Sequence, residues 1–138
     1  MSRPAHAVSI EVDVPFHACD PLGIAWHGRY FEYLEAARQA LLRAHRLDVP
    51  DLRAMGHRLY VADARCRYMF PLTYRDKAVV TAWFAPDELW MRVAYDVHNA
   101  TQGRRCARAH TVLAITDCDG KLLAGIPRAV QERLPEGA

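Results

Sequence analysis

One helical pattern set among alternating ones constrains this chain more than any other feature. Between Gly28 and Arg46 apolar residues recur at the 3.6-residue period of a helix. Tyr30, Tyr33, Leu34, Ala37, Leu41 and Ala44 form one stripe; Glu32, Ala36, Gln39, Arg43 and Arg46 form the opposite face. Glu35 falls on the border of the stripe and Arg38 further in, so the wheel predicts that the two pair at i,i+3 spacing. The other patterned segments alternate. Over residues 8–17, Val8, Ile10, Val12, Val14 and Phe16 point one way, and Pro15 marks an edge or irregular end. After the helix the chain reads as sheet. Tyr60, Ala62, Ala64, Cys66, Tyr68 and Phe70 share a face over 60–70; residues 77–85 are apolar on both faces, as a central strand is. Leu89 to Val97 and residues 104–117 alternate again, with turn signals at Pro86-Asp87, Thr101-Gln102-Gly103 and Asp119-Gly120.

A single apolar stripe must be buried, and the only surface large enough is the sheet. The predicted architecture is α+β, one antiparallel sheet wrapped around one long central helix. With 138 residues and no linker, repeat or low-complexity segment, residues 1–138 are expected to form one domain.

Composition excludes several functions. A formal charge of +2 lacks the excess of a dedicated nucleic-acid binder. Among the basic residues only Lys77 and Lys121 are lysines, a bias read as compositional habit. Cys19, Cys66, Cys106 and Cys118 form no CxxC pair, and with His17, His98 and His110 they show no metal-ligand spacing; free thiols and no metal are expected. No apolar run has the length of a signal peptide or a membrane span, so a cytoplasmic protein without membrane insertion is expected.

The chemistry-bearing stretch is FHACDPLGIAWHGRYFEYLEAAR, residues 16–38. It puts Asp20 in a tight Pro/Gly loop, His27 at the start of the helix and Glu35 two turns inside it. A helix start offers unpaired N–H groups and about half a positive charge. Such a place polarises a carbonyl oxygen while keeping a nearby carboxylate ionised, which is what acyl transfer requires. Without that context an Asp-Pro turn is an ordinary turn or cap, and Glu35 serves only to neutralise Arg38.

Phe16, Asp20, Gly23, Ile24, Trp26, His27, Tyr30, Glu35, Ala37 and Arg38, with the late run ARAHTVLAITDCDGKLLAGIP, resemble the 4-hydroxybenzoyl-CoA thioesterase family of hotdog proteins, including the Tol-Pal-associated acyl-CoA thioesterases. The resemblance covers nearly the whole chain and implies a hotdog fold and hydrolysis of an acyl-CoA or carrier-protein thioester without a cofactor. It implies Asp20 as nucleophile or general base, His27 as a site residue with a backbone oxyanion donor at or just after it, and Glu35 as a second acid. Gly23, Trp26, Gly28 and Tyr30 are the matching substrate-binding positions. It further implies a homodimer with joined sheets and active sites at the subunit boundary, often paired into a homotetramer. Two departures stand out. Ala18 replaces an acid common two positions before the aspartate, and Pro86-Asp87-Glu88 replaces a basic turn suited to CoA phosphates. The alternative is a non-catalytic hotdog module that binds acyl chains or serves assembly; a hotdog dehydratase would need a differently patterned helix start.

Overall fold

The computed structural model describes residues 3–87 and 89–136. Five strands, β1 (Val8–Asp13), β2 (Arg58–Tyr68), β3 (Lys77–Ala85), β4 (Met91–Asn99) and β5 (Arg104–Thr116), form one antiparallel sheet in the order β1-β3-β4-β5-β2. The long helix α1 (Arg29–Ala44) lies against β1 and β3, and the sheet curves around it. This is the wrapped sheet and central helix that the periodicities predict, and the hotdog fold that the resemblance implies.

The packing follows from the pattern. Leu34, Ala37 and Leu41 of α1 are buried against Ala78, Val80 and Ala82 of β3 and Val93, Tyr95 and Val97 of β4. Truncating one such leucine to alanine costs about 2–5 kcal/mol, so this seam accounts for much of the stability. β3 is paired on both sides, as its two apolar faces require. β2 stands at the edge, paired only with β5 and mostly exposed along its 11 residues.

The structure corrects several expectations. β1 ends at Asp13, and Phe16–Ala18 form one 3-10 turn in which Phe16 is 76% exposed, edge-on to Tyr74. Pro15, which cannot donate to a ladder, ends the strand early. Ala44 is exposed, and the helix closes just after it, where Arg46 takes φ +57°. The stretch after α1 is not all sheet: α2 (Val49–Ala54) is fixed by a reciprocal cap between Asp48 and Asp51, and α3 (Arg128–Gln131) follows the last strand. In β2 the shared face breaks. A bulge between Val61 and Asp63 puts Val61, not Tyr60, opposite the inward Leu113, while Ala64, Cys66 and Tyr68 stay opposite the inward β5 positions. Leu89 lies outside β4 and is exposed.

Candidate active site

The aspartate loop is a small hairpin of its own. Cys19 bridges Ala25, the Asp20 N–H donates to the Ile24 carbonyl at 2.8 Å, and the Gly23 N–H to the Asp20 carbonyl at 2.9 Å. Gly23 takes φ +81°, a conformation that side chains resist, which explains a glycine at the turn. The Asp20 carboxylate accepts the Leu22 N–H on Oδ1 at 2.9 Å. Oδ2 has no hydrogen-bond partner among the described residues. One oxygen is tethered and the other is free.

The loop is strapped to the sheet rather than to the helix. The Ala25 N–H donates to the Leu72 carbonyl at 2.7 Å and Ile24 bridges Thr73. The strap is held by Asp76, 3% exposed, whose Oδ2 accepts the Thr73 N–H, the Thr73 hydroxyl and the Asn99 amide, each at 2.8 Å. Burial works against the Asp76 charge, but these donors outweigh it and hold its carboxyl below the ordinary value.

The helix start approaches from the other side. Gly28 is the N-cap of α1 and supplies no side-chain cap. Neither the His27 nor the Gly28 N–H has a hydrogen-bond partner among the described residues. A methyl on Gly28 would sit 2.3 Å from Trp26 Cζ3, so glycine is required for the tryptophan to lie across the helix entry. The Tyr68 hydroxyl, from the end of β2, donates to the His27 carbonyl at 2.8 Å. In a trans peptide the N–H points opposite the C=O, so this bond also sets the direction of the Gly28 N–H. Burial, then the neighbouring Cys66, pushes the Tyr68 phenol up to about 12, which keeps it a donor near neutrality.

Asp20, His27, Tyr30 and Tyr68 line one cavity of about 310 Å³, closed by Ile24, Ala25, Met69, Phe70 and Pro71. Tyr30 is buried, and that burial raises its phenol well above the ordinary value; its ring meets Tyr68 edge-on at 4.9 Å. Gly23, Trp26 and Gly28 are not among the residues that line this cavity: Gly23 shapes the turn, and Trp26, half exposed, covers Gly28 at the helix entry. Tyr68 carries no functional signal in the sequence; its role arises from a contact 41 residues away.

Glu35 does not join this group. It is exposed and lines a second cavity, of about 420 Å³, between α1, α2 and the start of β2. The expected Glu35–Arg38 pair is absent: Arg38 Nη1 instead donates to the Tyr95 hydroxyl at 3.4 Å, and that hydroxyl shares a 2.7 Å bond with Thr111. The guanidinium reaches inward to a buried neutral acceptor because Tyr95 lies beneath the helix, a position the wheel alone does not show.

Cys66 and Cys106 are held as thiols. Burial raises the Cys66 thiol and pushes the Cys106 thiol up to about 11, and Cys19 Sγ donates to the Pro15 carbonyl at 3.7 Å.

Residues 14–134 match the model of the thioesterase-like superfamily. The chain belongs to that superfamily. Its class is thioester hydrolase. A provisionally named esterase from Synechocystis sp. is 30% identical over 127 residues, covering 91% of this chain and 76% of the relative. A provisionally named acyl-CoA thioesterase from Bacillus subtilis is 29% identical, covering 67% of each chain. Among solved structures, a hypothetical protein from Aquifex aeolicus superposes with a TM-score of 0.81 at 29% identity, covering 93% of this chain and 99% of its own. A 1,4-dihydroxy-2-naphthoyl-CoA thioesterase from Synechocystis superposes at 0.79 with 18% identity, covering 93% and 95%, which speaks to the fold. No described helix is long and apolar enough to cross a membrane.

Proposed function

We propose that this thioesterase hydrolyses acyl-CoA thioesters at the cavity shared by Asp20 and the start of α1. The observation that carries this reading is the meeting of the tethered Asp20 carboxylate with His27, the residue just before the open N-cap of α1, in one cavity of about 310 Å³. The thioester carbonyl oxygen takes the Gly28 N–H and the helix dipole as its oxyanion site. Asp20 Oδ2 either attacks the carbonyl carbon, giving a mixed anhydride that water then hydrolyses to regenerate the carboxylate, or takes a proton from the attacking water. The thiolate leaves without strong acid assistance, so the site needs no dedicated acid for it. His27 flanks the oxyanion site through its backbone, and Tyr30 lines the acyl slot. Glu35, exposed and away from Asp20 in its own chain, has no direct step here.

The proposed assembly is a homodimer through β2. An 11-residue, largely exposed edge strand exposes unpaired backbone groups that a second copy would satisfy. The CoA names of relatives such as the Bacillus subtilis protein favour a CoA handle over other thioesters.

Asp20→Asn tests the reading directly. The amide keeps the turn but neither attacks nor accepts a proton, so kcat on an acyl-CoA panel should fall by roughly 10²–10⁴ with KM little changed. Wild-type turnover by Asp20→Asn on a good substrate would reduce Asp20 to a turn residue and hand the hydrolysis to a different catalytic group, whereas no turnover of any acyl-CoA by the wild type would return the chain to an acyl-binding role.

A further inference from the structure

The face of the sheet turned away from α1 carries a feature that the thioesterase chemistry does not use. The ladder places side chains in rows across it. Thr81, Asp96, Arg108 and Arg67 form one row; Trp83, Ala94, His110 and Arg65 form the next. Arg67 stands directly opposite Arg108, a like-charge cross-strand pair that destabilises a sheet unless an anion lies between. Neither makes an ion pair among the described residues. Arg65 has only the exposed Asp63, at 3.4 Å.

On the other side of Arg108 in the same row, directly opposite it on β4, sits Asp96, its side chain 5% exposed and already engaged by two other arginines. Arg3 bonds its Oδ2, and Arg105 Nε lies 2.8 Å from its Oδ1. That approach is an ion pair without hydrogen-bond alignment, and Oδ1 is otherwise unpartnered. One buried carboxylate therefore holds Arg3 and Arg105 at the rim of the same hollow. Together these groups line a depression of about 850 Å³, six of whose lining residues are arginines. Compositional habit would scatter arginine over the surface; here it is gathered around one hollow. The alanine at 94 leaves the floor low, and the half-buried Trp83 forms the far wall.

We propose that this hollow binds a polyphosphorylated nucleotide. Trp83 and Arg65 are three strands apart, about 14 Å at the usual strand spacing, the reach of a base, a sugar and two or three phosphates. The base stacks beside Trp83 over Ala94, and the phosphates meet Arg108, Arg67 and Arg65, whose planar forks suit phosphate oxygens. An indole wall in a nucleotide-sized hollow favours this occupant over a flat acidic protein surface. Two sources share the chemistry: the nucleotide end of an acyl-CoA substrate and a free nucleotide.

The test is calorimetric titration of the whole protein with ATP, CoA and inorganic triphosphate. The variants are Arg67→Gln/Arg108→Gln and Trp83→Leu, with Arg53→Gln as an off-patch control and melting curves to confirm folding. The double variant should weaken all three ligands at least tenfold. Trp83→Leu should weaken ATP and CoA but spare triphosphate, and the control should change nothing. If the substrate's own nucleotide end is the occupant, the double variant raises KM for acyl-CoA about tenfold and leaves KM for the N-acetylcysteamine thioester, which has no nucleotide, unmoved. If a free nucleotide is the occupant, ATP binding is lost and neither KM moves. Absence of saturable binding by the wild-type protein, or equal loss in the off-patch control, overturns the proposal. So does an oligomer that dissociates in the double variant while the wild type binds no nucleotide, which would make this face a self-contact. Titration with ATP needs no turnover, so its outcome stands apart from that of Asp20→Asn.

Discussion

Tyr68→Phe isolates the bond that sets the helix entry. It deletes one oxygen, keeps the ring that meets Tyr30 edge-on at 4.9 Å, and frees the His27 carbonyl from its 2.8 Å donor. A neutral hydrogen bond of this kind contributes about 0.5–1.5 kcal/mol net. If the whole of that energy holds the His27–Gly28 peptide with its N–H toward the oxyanion, its loss reaches the transition state as a lower population of the productive orientation. At about 1.4 kcal/mol per factor of ten, kcat should fall roughly two- to twelvefold. That is well short of the roughly 10²–10³ for removing an oxyanion donor outright, because the N–H itself survives. KM should change less, since the slot keeps its shape. The assay is steady-state hydrolysis of one acyl-CoA by wild type and variant, beside a denaturant midpoint for each, with an enzyme-only blank for the free cysteines. A midpoint that drops by about 1 kcal/mol with kcat unchanged would make Tyr68 a structural tie and refute the positioning argument.

Glu35→Ala should leave the denaturant midpoint within about 0.5 kcal/mol of wild type, as an exposed unpaired residue does. Arg38→Met should cost more, because it strips a donor from the buried Tyr95–Thr111 pair; equal losses would show that the Arg38–Tyr95 bond adds nothing measurable to stability. For Asp76 the folded carboxyl lies below its ordinary value, so its contribution to stability is complete above the unfolded pKa of about 3.9 and is lost as pH falls through the folded value. Urea midpoints should therefore decline more steeply below about pH 4 in wild type than in Asp76→Asn, which starts lower at neutral pH; parallel curves would remove Asp76 from acid unfolding.

The strands and α1 were legible because burial on one face leaves a period in the sequence, and α1, β3, β4 and β5 fall close to where the pattern puts them. The aspartate loop was legible too, since Asp20, Gly23 and the helix start lie close in the chain. What escaped depends on contacts between distant segments. The bulge at Val61–Asp63 is a property of two strands, and strict alternation along one of them assigns Tyr60 the wrong face. Arg38 looked toward Glu35 because the wheel knows only its own helix, whereas Tyr95 is 57 residues on. Helix α2 did carry a signal, an aspartate cap with Pro50 just after it, that the strong alternation downstream obscured.

The strap at residues 71–76 gives the centre an uneven ownership. Asp20 travels with the sheet through Leu72 and Thr73, while the open N–H groups belong to α1. The Tyr68 bond crosses between these two bodies. In the proposed mechanism, substitutions along the α1 seam can thus slide the oxyanion side of the reaction against the Asp20 side without touching either. That gives the proposed centre a mechanical route to a changed acyl preference with Asp20 itself in place.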